Sequence, residues 1–208
     1  MDPESAAVLL DQGNAYFHEG DLDRAIAAYT EAIRLDPKLV VAYQYRSYTF
    51  MNKGEFDRVI ADCTEVIRLD PNSAPAAHNY RGYALMNKGQ FDRAIAEYSE
   101  AIRLDPTSSF GFVQRAVAFF QKGEVDRAIA DNTEAIRLDP KSAVAHRNRG
   151  REYAHKADHN RAIADFTEAI RLDPDTPDAY FDRSLAYRRL GDDAKAASDE
   201  LKAQELRK

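Results

Sequence analysis

His155 and His159 stand four residues apart, a spacing that on an unbroken helix would aim two imidazoles at one zinc ion. The surrounding run AHKADHNRA places a turn between them, so they do not share a helical face and no metal site is expected. Cys63 is the single cysteine and has no partner for an internal disulfide; it reads as a small buried hydrophobe. Acidic pairs such as Glu152 with Asp158 read as ordinary solvated faces. The sequence contains no glycine-rich phosphate loop, nucleophile elbow or metal-ligand cluster. No set of catalytic roles can be assembled from it, so the chain reads as non-enzymatic and free of cofactors.

Charged groups that recur in register are more informative. Arg46, Arg81, Arg115, Arg149 and Arg183 are each followed sixteen residues later by an acid, at Asp62, Glu97, Asp131, Asp165 and Asp199. The corresponding early positions hold Gln12 and Ala28, so both charges are absent together. Joint presence and joint absence favour pairing inside one structural unit, because pairing with the preceding unit would leave Arg46 facing Ala28. The other reading is an arginine ladder that meets an acidic ligand.

The elements that must position these groups are written as a repeat. DRAIAAYTEAIRLDP at Asp23 to Pro37 returns in close copies that end at Pro71, Pro106, Pro140 and Pro174, with steps of 34, 35, 34 and 34. A fixed period of this size marks a solenoid. Ala25, Ile26, Tyr29, Ala32 and Ile33 form one apolar helical stripe; Asp23 is expected to cap it and Pro37 to stop it. A second helical stretch precedes each copy and closes on Gly20, Gly54, Gly89, Gly123 or Gly191. Ala157 replaces that glycine once, which predicts a strained or differently shaped turn. Asp2 and Pro3 read as the cap and first residue of the opening helix.

The pattern resembles the tetratricopeptide repeat, in which two antiparallel helices, A and B, carry small residues at fixed places and end on proline. Counting from Ala6, the first repeat supplies Gly13, Ala25, Ala32 and Pro37, with aromatic Tyr16 and Tyr29. The resemblance implies an all-α fold, an α-solenoid built as a right-handed superhelix of six helix-turn-helix repeats. These run approximately over 6–39, 40–74, 75–108, 109–142, 143–176 and 177–208, one array within residues 1–208. Ala197, Glu200 and Gln204 give the sixth repeat the polar outer face of a C-terminal cap. Twelve helices and no strands are expected. The extra residue of the 35-step falls in 72–77 and predicts a longer loop. In repeat 2, Val59 and Val66 are expected to refill the volume lost where Cys63 replaces a ring. In repeat 4, Asn132 takes that ring's slot and calls for a polar contact or partial exposure.

The same resemblance implies protein or peptide binding, without chemistry, on the concave face lined by helix A. The residues at those places are Tyr45, Tyr48, Met51, Asn52, Asn79, Tyr80, Tyr83, Met86 and Asn87, then Val117 and Phe120, then Arg147, Asn148 and Arg151. Stacking of repeats is expected to set Tyr45, Tyr48, Tyr80 and Tyr83 side by side. The family's chaperone-tail clamp needs a set of lysine, asparagine and arginine of which only Asn14 is present here, so that partner is not carried over. A self-associating scaffold, using Ala7, Val8 and Leu10 of the first helix, is the alternative to a monomeric adaptor.

Composition bounds the partner. With 44% hydrophobic residues and a net charge of −6, the chain lacks the basic surface that a nucleic-acid backbone demands. No apolar run approaches the length of a membrane span, and the N-terminus does not look like a signal peptide, so a cytoplasmic protein is expected.

Overall fold

The computed structural model describes residues 3–71 and 74–207. Asp2, expected as a cap, and Asn72 and Ser73, within the expected longer loop, lie outside the described residues. The chain forms two compact units, Met1–Pro106 and Thr107–Lys208. The first holds three hairpins: α1 (Pro3–His18) with α2 (Leu22–Leu35), α3 (Val40–Asn52) with α4 (Phe56–Leu69), and α5 (Pro75–Asn87) with α6 (Phe91–Leu104). The second holds α7 (Ser109–Gln121) with α8 (Val125–Leu138), α9 (Ala143–His155) with α10 (His159–Leu172), and α11 (Pro177–Arg189) with α12 (Asp193–Leu206). All described regular structure is helical, as expected.

Each B helix before a proline stops at a leucine. Asp36, next to Pro37, is extended at φ −131° and ψ 92°, because the proline ring excludes the helical region for its predecessor. The start differs from the expectation. Asp21, not Asp23, caps α2, its carboxylate accepting from the Arg24 amide at 3.1 Å. Asp23 lies within the first turn, where its charge favours the helix dipole, and pairs with Lys53 of the next repeat. Lys88 with Asp57 and Lys156 with Asp126 repeat that link.

The hairpin turns need a left-handed residue. Glycine provides it at φ 70° to 82° in the other turns, and Ala157 adopts φ 60°. Ala157 N–H bonds Ala154 O at 2.9 Å and Asp158 N–H bonds Tyr153 O at 2.9 Å, as Gly20 and Asp21 do with Phe17 and Tyr16. Of the two expected outcomes, the turn keeps its shape and carries the strain.

Packing follows a rule of matched sizes. A Cβ on Gly13 would fall 2.4 Å from the Tyr29 ring, on Gly82 2.7 Å from Tyr98, and on Gly150 2.7 Å from Phe166. Where the ring is absent the glycine is absent too: Ser47 accompanies Cys63 and Ala116 accompanies Asn132. Val59, Cys63 and Val66 are fully buried in one cluster with Tyr43 and Phe50.

Within each unit the A helices touch in succession, α1 with α3 with α5 and α7 with α9 with α11. B helices of neighbouring repeats do not meet among the described residues. The A helices therefore line the inner side of each unit's curve.

Candidate functional site

The recurring arginines are structural. Arg46 binds Asp62 through Nε and Nη2 at 2.9 and 2.7 Å, and Arg149 binds Asp165 at 2.8 Å from both nitrogens. Arg81 meets Glu97 at 2.8 Å, Arg115 meets Asp131 at 2.7 Å and Arg183 meets Asp199 at 2.7 Å. These pairs lie inside single repeats, as their joint presence predicts. A third partner was not anticipated. Arg46, Arg81, Arg149 and Arg183 each also donate through Nη1 to a threonine of the preceding repeat, Thr30, Thr64, Thr133 and Thr167, at 2.9 to 3.2 Å. Each of these four guanidiniums thus ties its own hairpin to the one before it. Burial alone would push Glu97 up, yet hydrogen bonds from His78 and Arg81 outweigh it and hold its carboxyl below the usual range. Hydrogen bonding to Asp165 and Asp199 holds Arg149 and Arg183 more firmly protonated.

With those arginines committed, the remaining residues expected to meet a partner are those on the inner faces of the A helices. In the first unit, Tyr45, Tyr48 and Tyr83 remain 42%, 42% and 43% exposed although they sit among packed helices. A cavity of about 340 Å³ opens between α3 and α5, walled by Tyr45, Tyr48 and Tyr80 with Gln44, Ser47 and Ala76. The expected row of four tyrosines is rearranged. Tyr48 sits between Phe17 and Tyr80, with ring centroids 5.5 and 6.1 Å away, whereas Tyr45 leans on Tyr29 and Tyr83 on Phe56. Phe17 thus joins the run from the first repeat. In the repeat register Phe17 stands at the slot of Met51 and Met86, not at that of either tyrosine pair, so its ring contact could not be read from the alignment.

Met51 and Tyr80 pack partly against the core beneath, and burial pushes the Tyr80 hydroxyl upward so that it stays a donor. Asn52 and Asn87 are exposed, and Asn87 donates to Tyr83 O at 2.9 Å. Met86 is half-buried. Asn79 is half-buried, with a buried Oδ1 that has no hydrogen-bond partner among the described residues.

The second unit closes the equivalent place with charge. Arg147 reaches Asp182 at 2.7 Å and Asp178 at 3.3 Å across α9 and α11, so its charge is internally compensated. Val117, Phe120, Asn148 and Arg151 surround a small cavity of about 50 Å³ whose wall includes Glu152. Glu152 corrects its sequence reading. It is not a solvated acid but 2% exposed, and its Oε1 accepts from Asn132 Nδ2 at 2.7 Å. Asn132 accordingly finds the polar contact it calls for and is fully buried. Burial pushes the Glu152 carboxyl up to about 8 against the opposing pull of Asn132 and Arg149. His155 instead meets Phe120 edge-on at 5.5 Å, and no group of three potential metal ligands occurs among the described residues. Burial pushes the Cys63 thiol up to about 12, which makes it a poor nucleophile.

Tetratricopeptide-repeat family profiles match residues 6–39, 75–108 and 150–191, together just over half of the chain. The chain belongs to the tetratricopeptide-repeat family. Among solved structures it is similar to a MamA protein at 28% identity, covering 80% of this chain and 91% of that one, with a TM-score of 0.69. PilW, a type IV pilus biogenesis factor, superposes with a TM-score of 0.85 at 17% identity over 96% and 92% of the two chains. YrrB, described as a TPR protein with an unusual peptide-binding site, gives 0.66 at 19% identity over 86% and 92%. The last two likenesses are of fold alone. The family and its fold define an interaction module, and no described helix is long and apolar enough to cross a membrane.

Proposed function

We propose that this chain is a non-enzymatic adaptor that holds a peptide or protein segment against the inner faces of its A helices. The observation that carries the reading is the set of half-open tyrosines around the cavity between α3 and α5. Tyr45 and Tyr48 wall that cavity and stay half-open, and Tyr83, further along α5 and outside the cavity's lining, is equally exposed; aromatic rings that carry hydroxyls suit a ligand part apolar and part hydrogen-bonding. Extended peptides use such surfaces through a few aromatic anchors that dominate the affinity. A solved relative of the same fold, YrrB, is described as having a peptide-binding site, which agrees with this use.

The test is selection of a displayed random peptide library against the full chain, with titration of the selected peptides into Tyr48→Ala and Tyr83→Ala. Each substitution is expected to weaken binding by about 2 kcal/mol with a smaller loss of thermal stability. Melts that collapse while the folded fraction keeps its affinity would assign these rings to packing. Sedimentation of the protein alone separates the adaptor from the self-associating scaffold, since the adaptor stays monomeric.

A further inference from the structure

Arginines in this chain are nearly all engaged. Each of the others meets a carboxylate or, for Arg93, the Gln90 amide, but Arg151 and Arg189 make no hydrogen bond or ion pair among the described residues. These two, on neighbouring helices α9 and α11, line one cavity of about 380 Å³ in the second unit. Phe120, Phe166 and Leu185 supply its apolar wall, and His155 and His159 its remaining nitrogen donors. His159 Nδ1 is buried without a partner among the described residues. One acid, Asp182, also lines the cavity, and Arg147 already occupies its Oδ2 at 2.7 Å.

We propose that this cavity is a subsite for a peptide segment that carries a glutamate or aspartate side chain beside an apolar one. The inference rests on the reading that the inner faces bind peptides, and it names the ligand's chemistry on the second unit. Charge decides the class. The whole chain carries −6, so two neighbouring guanidiniums left uncompensated stand against the trend of the surface. An anion between them regains the paired state that the other arginines have, and guanidinium forks match carboxylates in shape. The volume fits a side chain or two, and the wall of Phe120 and Leu185 suits an apolar neighbour.

The experiment uses the full chain and three blocked, fluorescein-labelled peptides that share one phenylalanine, flanked by glutamate, by glutamine or by phosphoserine. Fluorescence anisotropy is expected to show saturable binding of the glutamate peptide, weakened about tenfold or more by glutamine and by raised salt. Arg151→Gln and Arg189→Gln should each give a similar loss, with melting temperature unchanged because both side chains are exposed. Glutamate and glutamine peptides that bind alike, or arginine variants that bind as the parent does, would overturn the proposal. So would binding confined to the phosphoserine peptide. Charge-independent binding that still required Tyr48 would leave the groove reading standing and remove only this one. Failure of all peptides here, together with failure of the library selection, would remove both.

Discussion

Asn132 and Glu152 meet inside the second unit, where the Asn132 amide nitrogen donates to Glu152 Oε1 at 2.7 Å from helix α8 to helix α9. Their other two oxygens, Asn132 Oδ1 and Glu152 Oε2, have no partner among the described residues. One proton on the carboxyl adds the donor that the pair lacks. An ionised carboxylate there would remain buried with neighbouring Asp131 and Asp165 raising its cost.

That proton predicts a pH dependence. Glu152 keeps it in the folded chain up to about 8, but in the unfolded chain loses it near the ordinary value of about 4.3. Between those values the unfolded chain binds fewer protons, so this contribution to stability is complete below the lower value. It falls as pH rises, by at most about 1.4 kcal/mol per unit, and levels off above the upper one. Urea denaturation across this range should show the decline. Glu152→Gln, which keeps an amide donor for Asn132, should flatten it; an unchanged slope would refute the assignment.

Gly150→Ala should destabilise the protein. On propensity alone the change would gain about 1 kcal/mol in a helix. The new Cβ, however, would lie 2.7 Å from the Phe166 ring and 3.2 Å from Ala162 O, which is backbone of the packed partner helix. Overpacking of this kind costs about 1 to 3 kcal/mol. Adding Phe166→Leu should recover part of the loss, a non-additivity that a double-mutant cycle in denaturant would read.

Ala157→Gly should stabilise by about 1 kcal/mol, because the residue sits at φ 60° where a side chain is strained and glycine is not. The same turn in the other repeats provides the control. Gly123→Ala should lose a similar amount, and thermal midpoints of both variants check the sign.

Arg149→Met would leave the Asp165 carboxylate buried beside His146 without its bidentate partner. A cost of about 3 to 5 kcal/mol is expected. Thr133→Val leaves the Asp165 pair intact and removes the bond from Arg149 into the preceding repeat, together with the exposed hydroxyl's own bond to Ile129 O, at about 1 kcal/mol. Denaturant midpoints for the pair would separate the bond within a repeat from the bond between repeats.

The fold was legible because the B helix is nearly the same sentence each time, with Pro37, Pro71, Pro106, Pro140 and Pro174 marking its end. The arginine pairs were legible because Gln12 and Ala28 vary together. Their threonine partners were missed, although a hydroxyl stands at Thr30, Thr64, Ser99, Thr133 and Thr167, because an exposed threonine in a helix announces no contact. Glu152 was misread for a similar reason: its charge argued for solvent. Its slot elsewhere holds Ala15, Thr49, Ala84, Ala118 and Ala186, and the one misfit adjoins the other misfit, Asn132. The idle state of Arg151 and Arg189 left no trace in the sequence, since which cations find a partner depends on the spatial arrangement.

The buried amide and carboxyl also act as an address. Repeats of one family are in principle exchangeable bricks, and the lysine and arginine links across hairpins would accept most orders. Repeat 5 would not, because Glu152 brings an acid that only a small polar neighbour such as Asn132 receives. A recombinant lacking residues 109–142 would set Glu152 against the ring of Tyr98. The array is written in near-copies, and this single pair gives two of them a fixed place in the queue.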